Sequence, residues 1–102
     1  MPGYETDSLT DLFIKHIEER GADLKTGKGK PFFGVLSIQP PHNPYMAPAR
    51  FMGRLNAEHL RLRANVPPYP KVEEEARQQL AGYYAQIENW DWNIGRIVDA
   101  LN

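Results

Sequence analysis

The chain has 102 residues, which is enough for one domain at most. Apolar residues make up 41% of it and charged residues 25%, as in ordinary globular domains, and a net charge of −1 provides no electrostatic attraction to nucleic acid or to an anionic membrane. The absence of cysteine excludes disulfides, thiolate chemistry and cysteine-ligated zinc. The longest apolar run, at residues 32–36, falls far short of the roughly 20 residues that a membrane span needs.

The N-terminal part of the chain predicts a helix over residues 8–20. Side chains of one helical face recur there at the required spacing, namely Leu9, Leu12, Phe13, His16 and Ile17. Ser8 is the expected N-cap, with Asp7 as its rival, and Gly21 is the expected C-terminal stop. The first residues, MPGYETDSL, contain neither a basic region nor an apolar run, so no signal peptide is expected within the chain.

The central stretch, residues 30–48, reads KPFFGVLSIQPPHNPYMAP. Its first part, residues 31–38, is apolar without strict alternation, which is typical of a parallel strand covered on both faces. Gly34 within this strand predicts a close packing contact. Prolines then stiffen the loop over residues 39–48 and hold His42 just beyond the strand end, where open α/β sheets bind ligands.

The remaining sequence predicts an irregular region over residues 49–71 and a long helix over residues 72–101. Within the irregular region, residues 49–55 favour a helical turn and residues 60–66 favour a short edge strand. The long helix carries a broad apolar stripe. Its members are Leu80, Tyr83, Tyr84, Ile87, Trp90, Ile94, Ile97, Val98 and Leu101.

Six titratable residues need a structural interpretation beside a functional one. The glutamates at 73–75 could form a cation site, but consecutive carboxylates on a helix point in different directions, which favours a solvated helix start. Asp91 could be a functional carboxylate, although a buried hydrogen-bonding role is favoured. His16 is expected to be packed in the core and His59 to lie on the surface.

These elements predict an α/β fold with the order helix, strand, loop and long helix. A strand covered on both faces needs hydrogen-bonding neighbours along its edges, and the chain offers only residues 31–38 and one weaker candidate. We therefore expect residues 1–102 to be a single partial domain, a piece of a larger sandwich built on a mixed or parallel sheet. In isolation it would be oligomeric or edge-paired through residues 32–38.

The ordered motifs of the chain resemble those of the sulfatases, in the alkaline phosphatase superfamily. The central matches are Lys30-Pro31-Phe32-Phe33, Pro41-His42-Asn43-Pro44 and Ala47-Pro48. The flanking matches are Thr6-Asp7 and Phe13-Ile14 on one side, and Leu80-Ala81-Gly82-Tyr83-Tyr84-Ala85, Ile87, Asp91 and Asn93-Ile94-Gly95-Arg96 on the other. Together the matches extend over nearly the whole chain.

The resemblance implies a mechanism. In sulfatases a formylglycine hydrate, made from the first residue of a Cys/Ser-x-Pro-x-Arg motif, is the nucleophile, and a calcium ion held by aspartates and an asparagine activates it and binds the sulfate. The histidine of the Pro-His-x-Pro motif lines the sulfate pocket and assists the leaving group, a role that falls on His42. A positioned imidazole can give a proton to a leaving alkoxide at neutral pH.

Most of that catalytic set has no counterpart in the chain. There is no cysteine, and neither Ser8 nor Ser37 opens a Ser-x-Pro-x-Arg motif. The paired aspartates, the downstream calcium ligands and the later active-site lysine are also missing. We therefore expect a sulfatase segment that contributes His42, holds no cofactor of its own and is inactive without its partner, the remainder of the domain. Two alternatives stay open: a non-catalytic oligomeric interaction module, and a segment of a phosphonate or phosphodiester hydrolase of the same superfamily.

Overall fold

The computed structural model describes residues 3–102, and every regular element in that range is helical. The elements are the helices α1 (Glu5–Lys25), α2 (Ala49–Met52) and α3 (Pro70–Leu101), with a short 3-10 helix (Ala57–His59) between α2 and α3. Because no strand or sheet occurs among the described residues, the expected α/β fold is wrong for this chain. The strands expected at 31–38 and 60–66 do not form.

The missing central strand has a direct physical cause. Residues 31–39 have no regular secondary structure, and their peptide groups make no hydrogen bond to any part of the chain that the structure describes. A strand exists only within a ladder, because its N–H and C=O groups bond to neighbouring strands. Residues 3–102 supply no such neighbour, and hydrophobicity alone does not bury the segment: Phe33 is 92% exposed and Val35 is 74% exposed.

The chain divides into two compact units. The first consists of the chain up to Gln39 together with Asp91–Asn102, and the second is Pro40–Trp90. The first unit contains α1 and the last part of α3, whereas α2, the 3-10 helix and the rest of α3 belong to the second. The loop around His42 and the middle of α3 are therefore parts of one unit.

Helix α1 begins earlier and ends later than its apolar spacing predicts. Its first residue is Glu5, and the N-cap position is held by Tyr4, whose side chain makes no capping hydrogen bond. Ser8 lies within the first turn, where its N–H donates to the Tyr4 carbonyl at 3.0 Å, so neither Ser8 nor Asp7 is the cap. Gly21 lies inside the helix, since a glycine weakens a helix interior by only about 1 kcal/mol and does not have to end it.

Polar side chains connect α1 to the C-terminal part of α3 within the first unit. The side-chain amide of Asn93 donates to a carboxylate oxygen of Asp7 at 2.8 Å, and its carbonyl oxygen accepts from Arg96 at 2.9 Å. Arg96 also forms an ion pair with Asp11. Because Asn93 is fully buried and bonded to both helices, a hydrogen-bonded network contributes to this contact between the helices.

The apolar stripe of α3 is largely exposed, contrary to what its helical periodicity predicts. The exposed members are Tyr83, Tyr84, Ile87, Ile94, Val98 and Leu101. The best-buried side chains of α3 are small or carry amides, namely Ala85, Gln86, Asn89 and Asn93. An apolar face of this kind usually marks a surface that another part or partner covers. Within residues 3–102, no helix is long and apolar enough to cross a membrane.

The second unit contains the helical turn that the sequence predicts. Where the sequence predicts an edge strand, the backbone instead bonds to a side chain of α3. The turn is α2, which buries Phe51 to 4% exposure. Residues 60–63 have no regular structure, and the carbonyl oxygen of Leu60 accepts a hydrogen bond from the Arg77 side chain on α3. A side-chain donor on the helix thus satisfies a backbone group that a strand ladder would otherwise satisfy.

The sequence predicts a close packing contact at Gly34, and the cost of glycine in a helix interior predicts that another backbone approaches closely at Gly82 and Gly95. The first two are confirmed: a Cβ at Gly34 would lie 3.0 Å from the Phe13 ring, and a Cβ at Gly82 would overlap the carbonyl oxygen of Tyr45. The third is wrong, because nothing lies within 4 Å of a Cβ at Gly95 among the described residues. Only Gly82 therefore marks a place where another backbone approaches α3.

Candidate functional site

One buried side chain of α3 holds the loop over residues 40–46, which carries His42. Gln86 is only 2% exposed. Its Oε1 accepts a hydrogen bond from the His42 N–H at 3.0 Å. Its Nε2 donates towards the carbonyl oxygens of His42, Pro44 and Met46, at 2.9, 3.1 and 3.1 Å. A single amide therefore binds the loop backbone at the histidine and beyond it.

A second anchor lies one turn further along the same helix. The Nε1–H of Trp90 donates to the carbonyl oxygen of Pro40 at 2.9 Å, at the start of the loop. Positions 86 and 90 are four residues apart and share one face of α3, and Gly82 is four residues before Gln86. Because the Tyr45 carbonyl approaches the helix at Gly82, this face of α3 meets the loop at three successive turns.

The imidazole of His42 is fixed at one nitrogen and accessible at the other. Its Nδ1 lies 2.7 Å from the carbonyl oxygen of Asn43. A carbonyl oxygen only accepts hydrogen bonds, so Nδ1 carries the proton of this contact. The residue is exposed, which leaves Nε2 open to a ligand. The Pro40–Pro41 and Asn43–Pro44 peptide bonds on either side of the histidine are cis.

The other residues singled out in the sequence have different surroundings. Asp91 is exposed, so the buried structural role expected for it is wrong. His16 is also exposed and not packed in a core; its ring meets that of Phe32 edge to face at 5.6 Å. His59 is exposed in the 3-10 helix, as expected for a surface residue. The glutamates at 73–75 lie near the start of α3 without forming a metal-binding cluster.

Gln86 and Trp90 are the site residues that sequence reasoning missed. Trp90 is assigned to the apolar stripe on its hydrophobicity, which does not indicate that its indole N–H has a specific acceptor. The available signal for Gln86 is its spacing, since it lies four residues after Gly82 and four residues before Trp90 on one helical face. Glutamine is mostly exposed in proteins, so one that is buried needs hydrogen-bond partners.

The residues present do not fit the calcium ion and formylglycine that the resemblance implies for a complete enzyme. Calcium takes six to eight oxygen ligands. In the described part of the chain, no group of three or more histidine, aspartate or glutamate residues could hold a metal ion. Formylglycine needs a cysteine or serine precursor in its motif, and neither Ser8 nor Ser37 lies in one. The candidate site therefore consists of the histidine loop and its anchors.

A cleft of about 490 Å3 lies in the second unit but is not centred on His42. Its lining includes Tyr45, Tyr83, Tyr84, Arg61 and Arg63. None of the lining residues is a histidine or a carboxylate. Tyr45 is the residue that the cleft shares with the loop.

Comparisons with known proteins identify the family. The family model described as Sulfatase matches residues 2–102. Over 73 residues the chain is 37% identical to the ulvan-active sulfatase of Formosa agariphila, a match that covers 71% of this chain and 14% of that protein. The chain thus spans a small part of the length of this relative. No solved structure matches the chain. The chain belongs to the sulfatase family.

Proposed function

We propose that this chain is the segment of a sulfuric ester hydrolase that supplies a histidine to the sulfate pocket. The observation that carries the proposal is the state of His42. Gln86 binds the N–H and C=O of His42, the Nδ1 of His42 bonds to the Asn43 carbonyl, and the residue is exposed. A histidine held in this way presents one defined ring atom, Nε2, to a ligand.

In the proposed reaction, Nε2 of His42 supplies the proton that the leaving oxygen requires. As the S–O bond to the leaving group breaks, negative charge develops on that oxygen, and a positioned donor stabilises it. The imidazolium loses the proton on Nε2 and becomes the neutral Nδ1–H tautomer. That tautomer keeps the hydrogen bond to the Asn43 carbonyl, so the ring does not have to turn during the transfer.

The isolated chain is proposed to be inactive. A sulfatase supplies its nucleophile from formylglycine and its charge stabilisation from calcium, and the residues of this chain do not fit either group. Without them, proton donation has no attacking group to assist. The remainder of the enzyme has to provide both.

Inactivity is tested by assaying the chain with an aryl sulfate, with and without calcium. The expected result is no turnover above that of a His42→Ala variant in either condition. Turnover clearly above this control would contradict the proposal. Sequencing the DNA on both sides of the reading frame supplies an independent test, because a Cys/Ser-x-Pro-x-Arg motif is expected before this segment and calcium ligands after it.

The role of His42 is tested in the complete enzyme that contains this segment. A general acid matters most when the leaving oxygen is strongly basic, so His42→Gln should slow hydrolysis of an alkyl sulfate by about 10²–10⁴-fold and that of nitrophenyl sulfate much less. His59→Gln, which changes an exposed histidine of the same unit, is the matched control and should leave both rates unchanged. Equal slowing of both substrates by His42→Gln would contradict proton donation.

The partner of this chain is proposed to be the remainder of the sulfatase domain, which would cover the exposed apolar segment at residues 32–36. Phe33 and Val35 are the most exposed of its side chains. Burial of one large apolar side chain contributes about 1.5–3 kcal/mol, so covering these two would contribute roughly 3–6 kcal/mol to assembly. No part of the described chain provides this cover for them.

Sedimentation velocity of the isolated chain at increasing concentration tests the choice of partner. If the rest of the domain is the natural cover, the chain should associate without a defined stoichiometry, and Phe33→Ser should weaken the association. A single discrete oligomer that persists on dilution would instead favour a self-associating module and contradict the proposal.

A further inference from the structure

We propose that Gln86 positions His42, and that this role requires an amide side chain at residue 86. The inference deepens the proposed function, because it assigns a second residue to the same site, and it rests on that function for its catalytic meaning. It concerns a residue on α3 that is 44 positions away from the histidine along the chain.

The hydrogen-bond partners of Gln86 determine which end of its amide is which. One partner, the His42 N–H, is a donor, and the other three are carbonyl oxygens. A flipped amide would place Oε1 against three acceptors and the NH₂ group against a donor, so only one orientation satisfies the loop. With two N–H groups and three carbonyls in range, at least one of these bonds is shared.

No other common side chain of similar size can make this set of contacts. An ionised glutamate only accepts, so it would bind the His42 N–H and repel the three carbonyl oxygens. A methionine would fill the volume but could make none of these four hydrogen bonds to the loop backbone. Asparagine is one methylene shorter and would not span the same distance from α3. The site therefore selects glutamine by chemistry as well as by size.

The contacts of Gln86 bear directly on the imidazole. It binds both the N–H and the C=O of His42, so it fixes the peptide groups on each side of the Cα from which the ring projects. The ring bond from Nδ1 to the Asn43 carbonyl depends on how those peptide groups are turned. Trp90 fixes the entry of the loop at Pro40 by a separate hydrogen bond. Gln86 thus acts on a ligand through His42, as a positioning residue.

The test is the tautomeric state of the His42 ring, followed by nitrogen NMR in the full 102-residue chain. The unaltered chain should show the Nδ1–H tautomer for this histidine when it is neutral. In Gln86→Glu, that signature should be replaced by the averaged signals of an unconstrained histidine. Gln78→Glu introduces the same charge at an exposed position of the same helix and should leave the signature unchanged. Retention of the Nδ1–H signature in Gln86→Glu would overturn the proposal.

A second measurement needs no substitution and remains informative if Gln86→Glu unfolds. The side-chain NH₂ protons of Gln86 should exchange with water at least about tenfold more slowly than those of exposed Gln78 in the unaltered chain. Equal exchange rates would overturn the proposal. Neither measurement involves turnover, so failure of the positioning role is distinguishable from failure of the sulfatase role, which the sulfate ester assays test.

Discussion

Two adjacent stretches of the chain have opposite physical characters. Residues 31–39 are the most apolar part of the sequence, yet they make no backbone hydrogen bond within the described chain and expose Phe33 and Val35. Residues 40–46, which follow directly, are rich in proline and polar groups, yet Gln86 and Trp90 hold them firmly.

The comparison separates two requirements of folding that hydrophobic patterns do not distinguish. Apolar side chains need a surface to pack against, and peptide groups need hydrogen-bond partners. Other parts of the protein have to provide both. The apolar segment obtains no hydrogen-bond partner for its peptide groups from the described chain, and its side chains Phe33 and Val35 remain exposed. The histidine loop obtains its partners from two side chains of α3, so it has a defined conformation without a sheet. Stability measurements on variants of α3 and of the apolar segment can break or sharpen this contrast.

Among the substitutions that act on the histidine loop, the largest loss of stability is expected for Gln86→Met. The substitution keeps the side-chain volume but removes the hydrogen bonds that Gln86 makes to one N–H and three carbonyl groups of the loop. Part of that loss is recovered by water because the loop is exposed, so we expect the free energy of unfolding to fall by about 3 kcal/mol. Urea denaturation followed by tryptophan fluorescence measures it. Gln78→Met, at an exposed position, should change it by less than about 0.5 kcal/mol.

Substitution by alanine is expected to change the stability of the chain in opposite directions at two glycines of α3. At Gly82 an added Cβ would overlap the Tyr45 carbonyl oxygen, and displacing the loop should outweigh the helix propensity of alanine, with a net loss of about 2 kcal/mol. At Gly95 nothing lies within 4 Å, so alanine should stabilise the chain by about 1 kcal/mol. Thermal unfolding of the two variants measures both changes. A gain in stability from Gly82→Ala would contradict the close approach of the loop.

A smaller loss is expected for Trp90→Phe, which removes the indole N–H that donates to Pro40. One hydrogen bond of this type contributes about 1 kcal/mol, and a comparable loss should appear in denaturant unfolding. Because Trp90 and Gln86 hold the same loop, combining Trp90→Phe with Gln86→Met should cost less than the sum of the single changes. Strict additivity in this double-mutant cycle would indicate that the two side chains do not act on one loop.

The features that could be predicted from the sequence are those that depend on interactions between residues close together in the chain. Helix α3 follows from spacing alone, and its observed bounds, Pro70–Leu101, differ from the predicted 72–101 by only two residues. The interpretation of the loop around His42 also rests on local chemistry, since proline restricts its own backbone. The resemblance to sulfatases depends on the same local motifs, and the family comparison confirms it.

The rest depends on contacts between distant residues, which periodicity does not record. The sequence indicates that residues 31–38 suit a strand, but a strand depends on neighbours that this chain lacks. The bond between Gln86 and His42 joins residues 44 positions apart. The apolar stripe of α3 is mostly exposed, whereas amide side chains occupy most of the buried positions of the helix. The periodicity of the apolar residues does not indicate which face of the helix is buried.

The smallest effect is expected for Phe33→Ser, and it tests the other half of the comparison. Since Phe33 is 92% exposed, its removal should change the free energy of unfolding of the isolated chain by less than about 0.5 kcal/mol. Phe51→Ser is the matched control, because Phe51 is only 4% exposed and loss of a buried phenylalanine costs about 3–5 kcal/mol. Denaturant unfolding at low concentration, where the chain does not associate, measures both. A loss above about 1 kcal/mol for Phe33→Ser would mean that the apolar segment already supports this chain, and the contrast with the anchored loop would then fail.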